Sequence, residues 1–406
     1  MKLLHTSDWH IGRMLFTRKD RQDEHAAFLH WLLKAIKEHS IDLLIVAGDV
    51  FDTAAPSNSA QKMYYDFLVK VHQSGCQNMV VIGGNHDSPS FLNAPKEILA
   101  ALNVCVVGNA GDNPEDEVIV IRDKDGKPLT IVCAVPFLRE RDISRFTEGE
   151  SYDDRTKRIA SSIQKHYELI VEKADKKRQS LNNHIPIIAT GHLSVAGGKT
   201  VEDDGVRDTY IGSIECIGSE IFPPLFDYVA LGHYHIPSVI ANHIRYCGSP
   251  IPMGFGEAKQ KKLVFVVEFE EDGNRGCKIE PLEIPVFQKM ESIRGDRSYI
   301  YSRLIELIKS DSAVWVEIVY EGNDVFPDLP VWANELTALS KVEIVNIQNR
   351  NRWNEELTLN ENKQSLDELN PYEVFNNLLE RKKISEEQKE ELKKLYREII
   401  FSLEND

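Results

Sequence analysis

An α/β fold is predicted by three features of the sequence. Short apolar runs alternate with segments of helical period through the first half of the chain, the pattern of βαβ units around a buried sheet. Runs such as Ile41–Ala47 are near-continuous rather than alternating, which marks strands covered on both faces. Several of these runs end in a polar cluster that contains glycine. The chain of 406 residues is long enough for two or three domains, and 42% hydrophobic with 28% charged residues excludes wholesale disorder.

Lys2–His5 reads as the first strand, and Asp23–His39 as a helix with Phe28, Leu29, Leu32, Leu33 and Ile36 on one face. Ile41–Ala47 is the second strand, Ser59–Ser74 the second helix, Met79–Ile82 the third strand and Phe91–Leu102 the third helix. Asp125-Gly126 has the chemistry of a tight turn and joins Val118–Ile121 to Leu129–Val135, while Asp272-Gly273 follows Leu263–Phe269 in the same way. Tyr152–Gln179 reads as a charged surface helix, and Ile185–Ala189 and Tyr228–Leu231 as core strands.

Composition shifts at Glu283-Ile284-Pro285. Beyond it, Ser298–Lys309 reads as helix, Ala313–Val319 as strand, Trp332–Leu339 as helix and Val342–Ile347 as strand, a small α+β module. From Asn370 to Asp406 the chain is rich in Lys and Glu, with Leu392, Leu395, Ile399, Ile400 and Leu403 at helical spacing. That tail either packs on its own domain or docks a partner. The expected domains are 1–284, 285–355 and a helical tail over 356–406.

The formal net charge of −16 argues against holding nucleic acid by bulk positive charge, since phosphate neutralisation supplies most non-specific affinity. Any nucleic-acid substrate would need local patches, metal ions or a partner. Six cysteines at long spacings form neither a disulfide framework nor a CxxC metal site. No apolar run reaches the roughly 20 residues of a membrane span, and Thr6-Ser7-Asp8 interrupts the N-terminus before a signal-peptide core could form, so a cytoplasmic protein with no membrane partner is expected.

Five polar clusters follow core strands: Asp8-Trp9-His10, Gly48-Asp49, Gly84-Asn85-His86-Asp87, Gly191-His192 and Gly232-His233-Tyr234-His235. Strand carboxyl ends share one edge in such a sheet, so these clusters should converge in one crevice. A lone histidine after a strand is usually structural; five clusters at five strand ends point to one site. Carboxylate and amide oxygen with imidazole, and no thiolate, suit Mn²⁺, Fe²⁺ or Zn²⁺ in a non-structural site. Asp49 is the natural bridge between two ions, because a carboxylate can give each an oxygen.

In that order the clusters resemble the calcineurin-like metallophosphoesterase superfamily. Thr190-Gly191-His192-Leu193, Ala230-Leu231-Gly232-His233-Tyr234-His235 and Tyr246-Cys247-Gly248-Ser249-Pro250-Ile251-Pro252 are similar, within it, to the nuclease subunits of bacterial SbcCD-type complexes. The likeness is strong from Met1 to about Glu283 and continues beyond only in layout. It implies a β-sandwich flanked by helices, a small capping domain that contacts DNA, and a helical tail that binds the partner. It implies two divalent metal ions, Mn²⁺ foremost. One would be held by Asp8, His10, Asp49 and His235, the other by Asp49, Asn85, His192 and His233. His86 matches the family's catalytic non-ligand histidine, with Asp87 as its orienting partner. Where archaeal and eukaryotic relatives carry a second catalytic histidine this chain has Asp52, placed to orient His86 or a bound water.

The implied activity is two-metal cleavage of DNA phosphodiesters, as a 3′–5′ double-strand exonuclease and a hairpin or single-strand endonuclease in DNA repair and recombination. The implied partners are DNA, an SbcC-type coiled-coil ATPase and a second copy of the chain, a homodimer within a heterotetramer. Met63, Tyr64, Phe67, Leu68 and Val71, with Ile98, Leu99 and Leu102, form stripes that serve either as core or as a self-complementary interface. The competing readings are a scaffold that only tethers the ATPase and a phosphodiesterase of small substrates. Asp52-Thr53-Ala54 lacks the Arg-Gly of protein phosphatases, and the chain continues about 120 residues past Pro285.

Overall fold

The computed structural model describes residues 1–16, 19–111, 113–144, 150–181, 184–199, 217–270, 276–322, 324, 326–349, 389, 392–393 and 396. Met1–Tyr320 and Phe326–Gln348 form one compact unit; a second comprises Glu321–Val325 and Asn349–Asp406. The expected tail helix, the domain 356–406 and the turn Asp272-Gly273 fall almost wholly outside the described residues.

Two six-stranded sheets carry the first unit. The first runs in the order Cys277–Glu283, Leu263–Phe269, Lys2–Thr6, Leu43–Ala47, Asn78–Ile82 and Val104–Val107, and its last four strands are mutually parallel. The second runs Ser238–Ala241, Ile244–Tyr246, Tyr228–Gly232, Ile187–His192, Pro128–Cys133 and Val118–Arg122, with four parallel strands at its centre. Alternation within each strand builds three apolar layers. Leu43, Ile45 and Ala47 meet Ile188, Tyr228 and Ala230 between the sheets. Leu44 and Val46 face the helices Gln22–Glu38 and Asn58–Gln73, and Ile187 and Ala189 face the helix Tyr152–Ser180. Both faces are covered, which is why these strands read as unbroken apolar runs.

The expected helix Phe91–Leu102 is instead two short helices, Pro89–Asn93 and Lys96–Ala100. Pro95 lies between them and has no N–H to continue the ladder. The stripe Tyr64, Phe67, Leu68 and Val71 is buried in the chain's own core, as is Leu99, whereas Ile98 is 75% exposed.

A three-stranded sheet, Lys289–Gly295, Val314–Tyr320 and Val342–Asn349, carries the helices Arg297–Lys309 and Leu329–Thr337 on one face. Its opposite face seats Met290 and Trp315 against Leu15 and Phe255. Lys19 fastens the same seam, pairing with Glu343 at 2.6 Å and lying 4.9 Å over the Trp315 ring.

Candidate metal centre

The polar clusters come from two sheets rather than one. Lys2–Thr6, Leu43–Ala47 and Asn78–Ile82 of the first sheet lead into Asp8-His10, Asp49 and Asn85-His86; Ile187–His192 and Tyr228–Gly232 of the second supply His192, His233 and His235. Backbone hydrogen bonds stitch the loops together. Asp8 N–H donates to the Gly48 carbonyl and His10 N–H to that of Asp49, both at 3.0 Å, and Asp8 Oδ1 accepts from His233 N–H at 2.9 Å.

The loops turn so tightly that Asp8, His10, Asp49 and His233 all adopt positive φ, between 46° and 104°. Side chains rarely tolerate that region, and the roughly 1–3 kcal/mol it costs per residue is met only where surrounding contacts hold the backbone. Gly48 and Gly84 permit the crowding. A Cβ on Gly48 would strike the His192 ring, and one on Gly84 would strike the Asp49 carboxylate and backbone.

Every expected ligand reaches the crevice. Asp49 Oδ2 lies 3.6 Å from His10 Nε2 and 3.2 Å from His192 Nε2, while its Oδ1 accepts the His86 N–H at 2.9 Å. One oxygen of Asp49, not both, therefore faces the two halves of the cluster. His10 Nε2 and His235 Nε2 stand 3.1 Å apart. On the other side, Asn85 Oδ1 lies 2.9 Å from His192 Nε2 and 3.1 Å from His233 Nδ1. Among the described residues, ligand atoms within 4.8 Å of one another occur in the sets Asp8, His10, His235; His10, Asp49, His86; and Asp8, Asp49, His192.

Burial governs the protonation of the cluster. It lowers His10 and His233 to about 3 and raises Asp8. Burial would raise Asp49 as well, but His192 and His10 hold it well below the usual carboxylate range; the same pairing carries His192 up to about 9 against its own burial. Divalent cations fit these donors. The Asp52 carboxylate faces His10 Nδ1 and the Glu257 carboxylate faces His235 Nδ1; with the proton on each Nδ1, the two Nε2 atoms oppose lone pairs at 3.1 Å that a cation accepts. Among the described residues, the grouped ligand atoms are carboxylate oxygen and imidazole nitrogen, and the described cysteines are all free.

The three expected catalytic residues occupy distinct places. His86 Nδ1 donates to the Asp52 carbonyl at 2.9 Å, and its ring meets that of His10 edge to face at 4.8 Å. The Asp52 carboxylate turns instead to His10 Nδ1, at 3.3 Å, and to Arg13, at 3.0 Å, so Asp52 meets His86 through its carbonyl and not through its carboxylate. Asp87 is spent on the backbone. Its carboxylate accepts from Val50, Phe51 and Gly84 N–H at 3.1, 3.0 and 2.9 Å, tying two ligand loops together rather than touching His86. Burial, and then the Asp49 charge, push it up to about 7.

The calcineurin-like phosphoesterase family model matches residues 1–237, and the model described as the type 5 capsule protein repressor C-terminal domain matches residues 286–383. The SbcD subunit of the SbcCD nuclease of Escherichia coli K12 is 36% identical over 407 residues, 99% of this chain and 98% of that protein. The chain belongs to the SbcD family of calcineurin-like phosphoesterases. The corresponding SbcD protein of Rhodobacter capsulatus is 34% identical over 265 residues, 63% of this chain and 64% of its own. A solved dimetal phosphatase from Danio rerio overlays with a TM-score of 0.35 at 12% identity, over 70% of this chain and 98% of that one.

The SbcD motifs do not reach every residue that shapes this centre. Arg13, which holds Asp52, and Glu257 and Lys262, which lie behind His235, carry no motif signal. Glu257-Ala258-Lys259-Gln260-Lys261-Lys262 reads as an ordinary exposed charge run, yet Glu257 and Lys262 are buried. Only their burial distinguishes them from solvated neighbours.

Proposed function

We propose that this chain is the metal-dependent nuclease subunit of an SbcCD-type complex, using two Mn²⁺ ions to hydrolyse DNA phosphodiesters as a 3′–5′ double-strand exonuclease and hairpin or single-strand endonuclease. The observation that carries the reading is Asp49 Oδ2, set between His10 and His192 at the junction of two histidine groups. Asp8, His10, Asp49 and His235 would hold one cation, and Asp49, Asn85, His192 and His233 the other. When bound, the pair supplies Lewis acidity to the phosphate oxygens and an activated water.

The side chains do the rest. Water adds to phosphorus, the bond to O3′ breaks, and a 5′-phosphate and a 3′-hydroxyl result. Nδ1–H of His86 is committed to the Asp52 carbonyl, so Nε2 is the position from which a proton reaches the departing O3′. Asp87 keeps the loops of Asp49 and Asn85 in register, and Asp52 orients His10.

The partners follow from the relatives' names and the chain's charge. With a net charge of −16, DNA affinity must come from the cations, from local residues of the 285–355 module, or from an SbcC-type ATPase docked on the 356–406 tail. Part of the module's basic character is already committed: Arg303 pairs with Glu291 and Glu306, and Arg297 lies 4.6 Å over Phe326. A homodimer would use surface such as Ile98 rather than the buried Tyr64 and Leu68. No described helix is long and apolar enough to cross a membrane, and a cytoplasmic location belongs to the same reading.

A Mn²⁺-dependent digestion of 3′-labelled duplex and hairpin DNA, with and without the ATPase, tests the proposal. Cleavage by wild type that is lost in Asp49→Asn supports it. A wild type inert under every condition would favour a tethering scaffold, and turnover of small phosphodiesters alone would favour a different substrate class.

A further inference from the structure

We propose that Glu257 is a positioning residue for His235, its carboxylate fixing the imidazole in the tautomer and orientation that present Nε2 to a divalent cation. The inference rests on the two-metal reading and concerns a segment to which the motifs give no role.

Glu257 closes the short helical turn Phe255–Glu257 and is fully buried; Lys262, five residues on, is 5% exposed. Oε2 of Glu257 takes the Lys262 ammonium, the Met253 N–H at 3.1 Å and the Ser249 hydroxyl at 3.4 Å. Oε1 has none of these partners and lies 3.6 Å from His235 Nδ1. Lys262 meanwhile donates to the His235 carbonyl at 3.0 Å, which Ser249 N–H also reaches at 3.1 Å. The ion pair thus grips His235 twice, its main chain through the cation and its ring through the anion.

Stability alone is a weak reason for such a pair. Replacing buried ions by apolar groups of similar volume is often neutral or stabilising. An anion beside Nδ1 does what an apolar residue cannot. It favours the proton on Nδ1 and leaves the lone pair on Nε2, the atom that faces His10 Nε2 at 3.1 Å. At 3.6 Å the contact is electrostatic rather than a full hydrogen bond, yet close enough to select that tautomer. The arrangement is local to this half of the centre: Asp52 backs His10 in the same way, whereas His192 Nδ1 rests on the neutral Ala47 carbonyl at 2.9 Å.

The test is calorimetric Mn²⁺ uptake by full-length wild type, E257L/K262M and E257Q/K262M, with ¹⁵N-histidine NMR of the metal-free proteins. Both double variants remove the two charges together, so no buried ion is left unpaired. Wild type is expected to take up two ions. In E257L/K262M one step should weaken by about 10–100-fold and the other hold, while the His235 ring shifts toward the Nε2–H form. E257Q/K262M keeps an acceptor oxygen and should recover part of the loss. Wild-type uptake and tautomer in folded E257L/K262M would overturn the assignment, as would equal weakening of both steps. If that variant does not fold, E257Q/K262M decides by the same comparison. A wild type that takes up no Mn²⁺ removes the two-metal reading and this inference together; unchanged variants beside a two-ion wild type remove the inference alone.

Discussion

His10 and His235, 225 residues apart in sequence, oppose their Nε2 atoms at 3.1 Å. With Asp52 and Glu257 drawing the proton to Nδ1 of each ring, the two Nε2 lone pairs oppose each other unless a cation takes both. Divalent metal is therefore expected to stabilise the fold. At 100 times its Kd, one bound ion adds about 2.7 kcal/mol. The check is thermal unfolding of chelator-treated protein with and without MnCl₂. Wild type should melt higher with metal and Asp49→Asn should not; equal melting of wild type in both conditions counts against a cation site.

His86→Ala should lower the cleavage rate by roughly 10²–10⁴-fold while Mn²⁺ uptake stays at wild-type stoichiometry. The ring stands close enough to His10 and Asp49 for a ligand role, so uptake decides between the two. Loss of one bound ion in the variant would make His86 a ligand instead of a proton donor.

Asp52→Ala should act on metal affinity before turnover. Its carboxylate faces His10 Nδ1 and Arg13, so its removal should weaken one Mn²⁺ site by about 10–100-fold, with saturating Mn²⁺ restoring most of the rate. A rate that stays low at saturating metal would place Asp52 in the chemistry.

Stability should fall with acid partly through His5, which is sealed between the sheets with Nδ1 on the Tyr228 hydroxyl at 2.9 Å. Burial lowers its pKa from 6.5 to about 3. Between those values the unfolded chain binds a proton that the folded chain refuses, so stability rises with pH there, by up to about 1.4 kcal/mol per pH unit. Above 6.5 the contribution is flat. Urea unfolding of metal-free protein from pH 7 to pH 4 should show a shallower decline in His5→Leu than in wild type; parallel curves would absolve His5.

Gly84→Ala should abolish metal uptake at modest cost in secondary structure, because the added methyl would press on the Asp49 carboxylate and backbone. Overpacking of this kind costs about 1–3 kcal/mol. Circular dichroism with Mn²⁺ calorimetry distinguishes this from global unfolding, and wild-type uptake would show that the loop can yield.

Legible in the sequence alone were the strands that carry the centre, since burial on both faces leaves an unbroken apolar run, and the candidate donors, since the runs end in polar clusters, four of them with a glycine just before the donor. It also carried the family likeness. What it could not express is direction. That the runs belong to two facing sheets, that one Asp49 oxygen faces both His10 and His192, that the Asp52 carboxylate turns to His10 while Asp87 ties backbone, and that Glu257 and Lys262 lie inside behind His235, are all decided by how separate segments pack. Local pattern records which residues can be buried, whereas the neighbour a polar side chain meets there depends on contacts between residues tens to hundreds of positions apart in the chain.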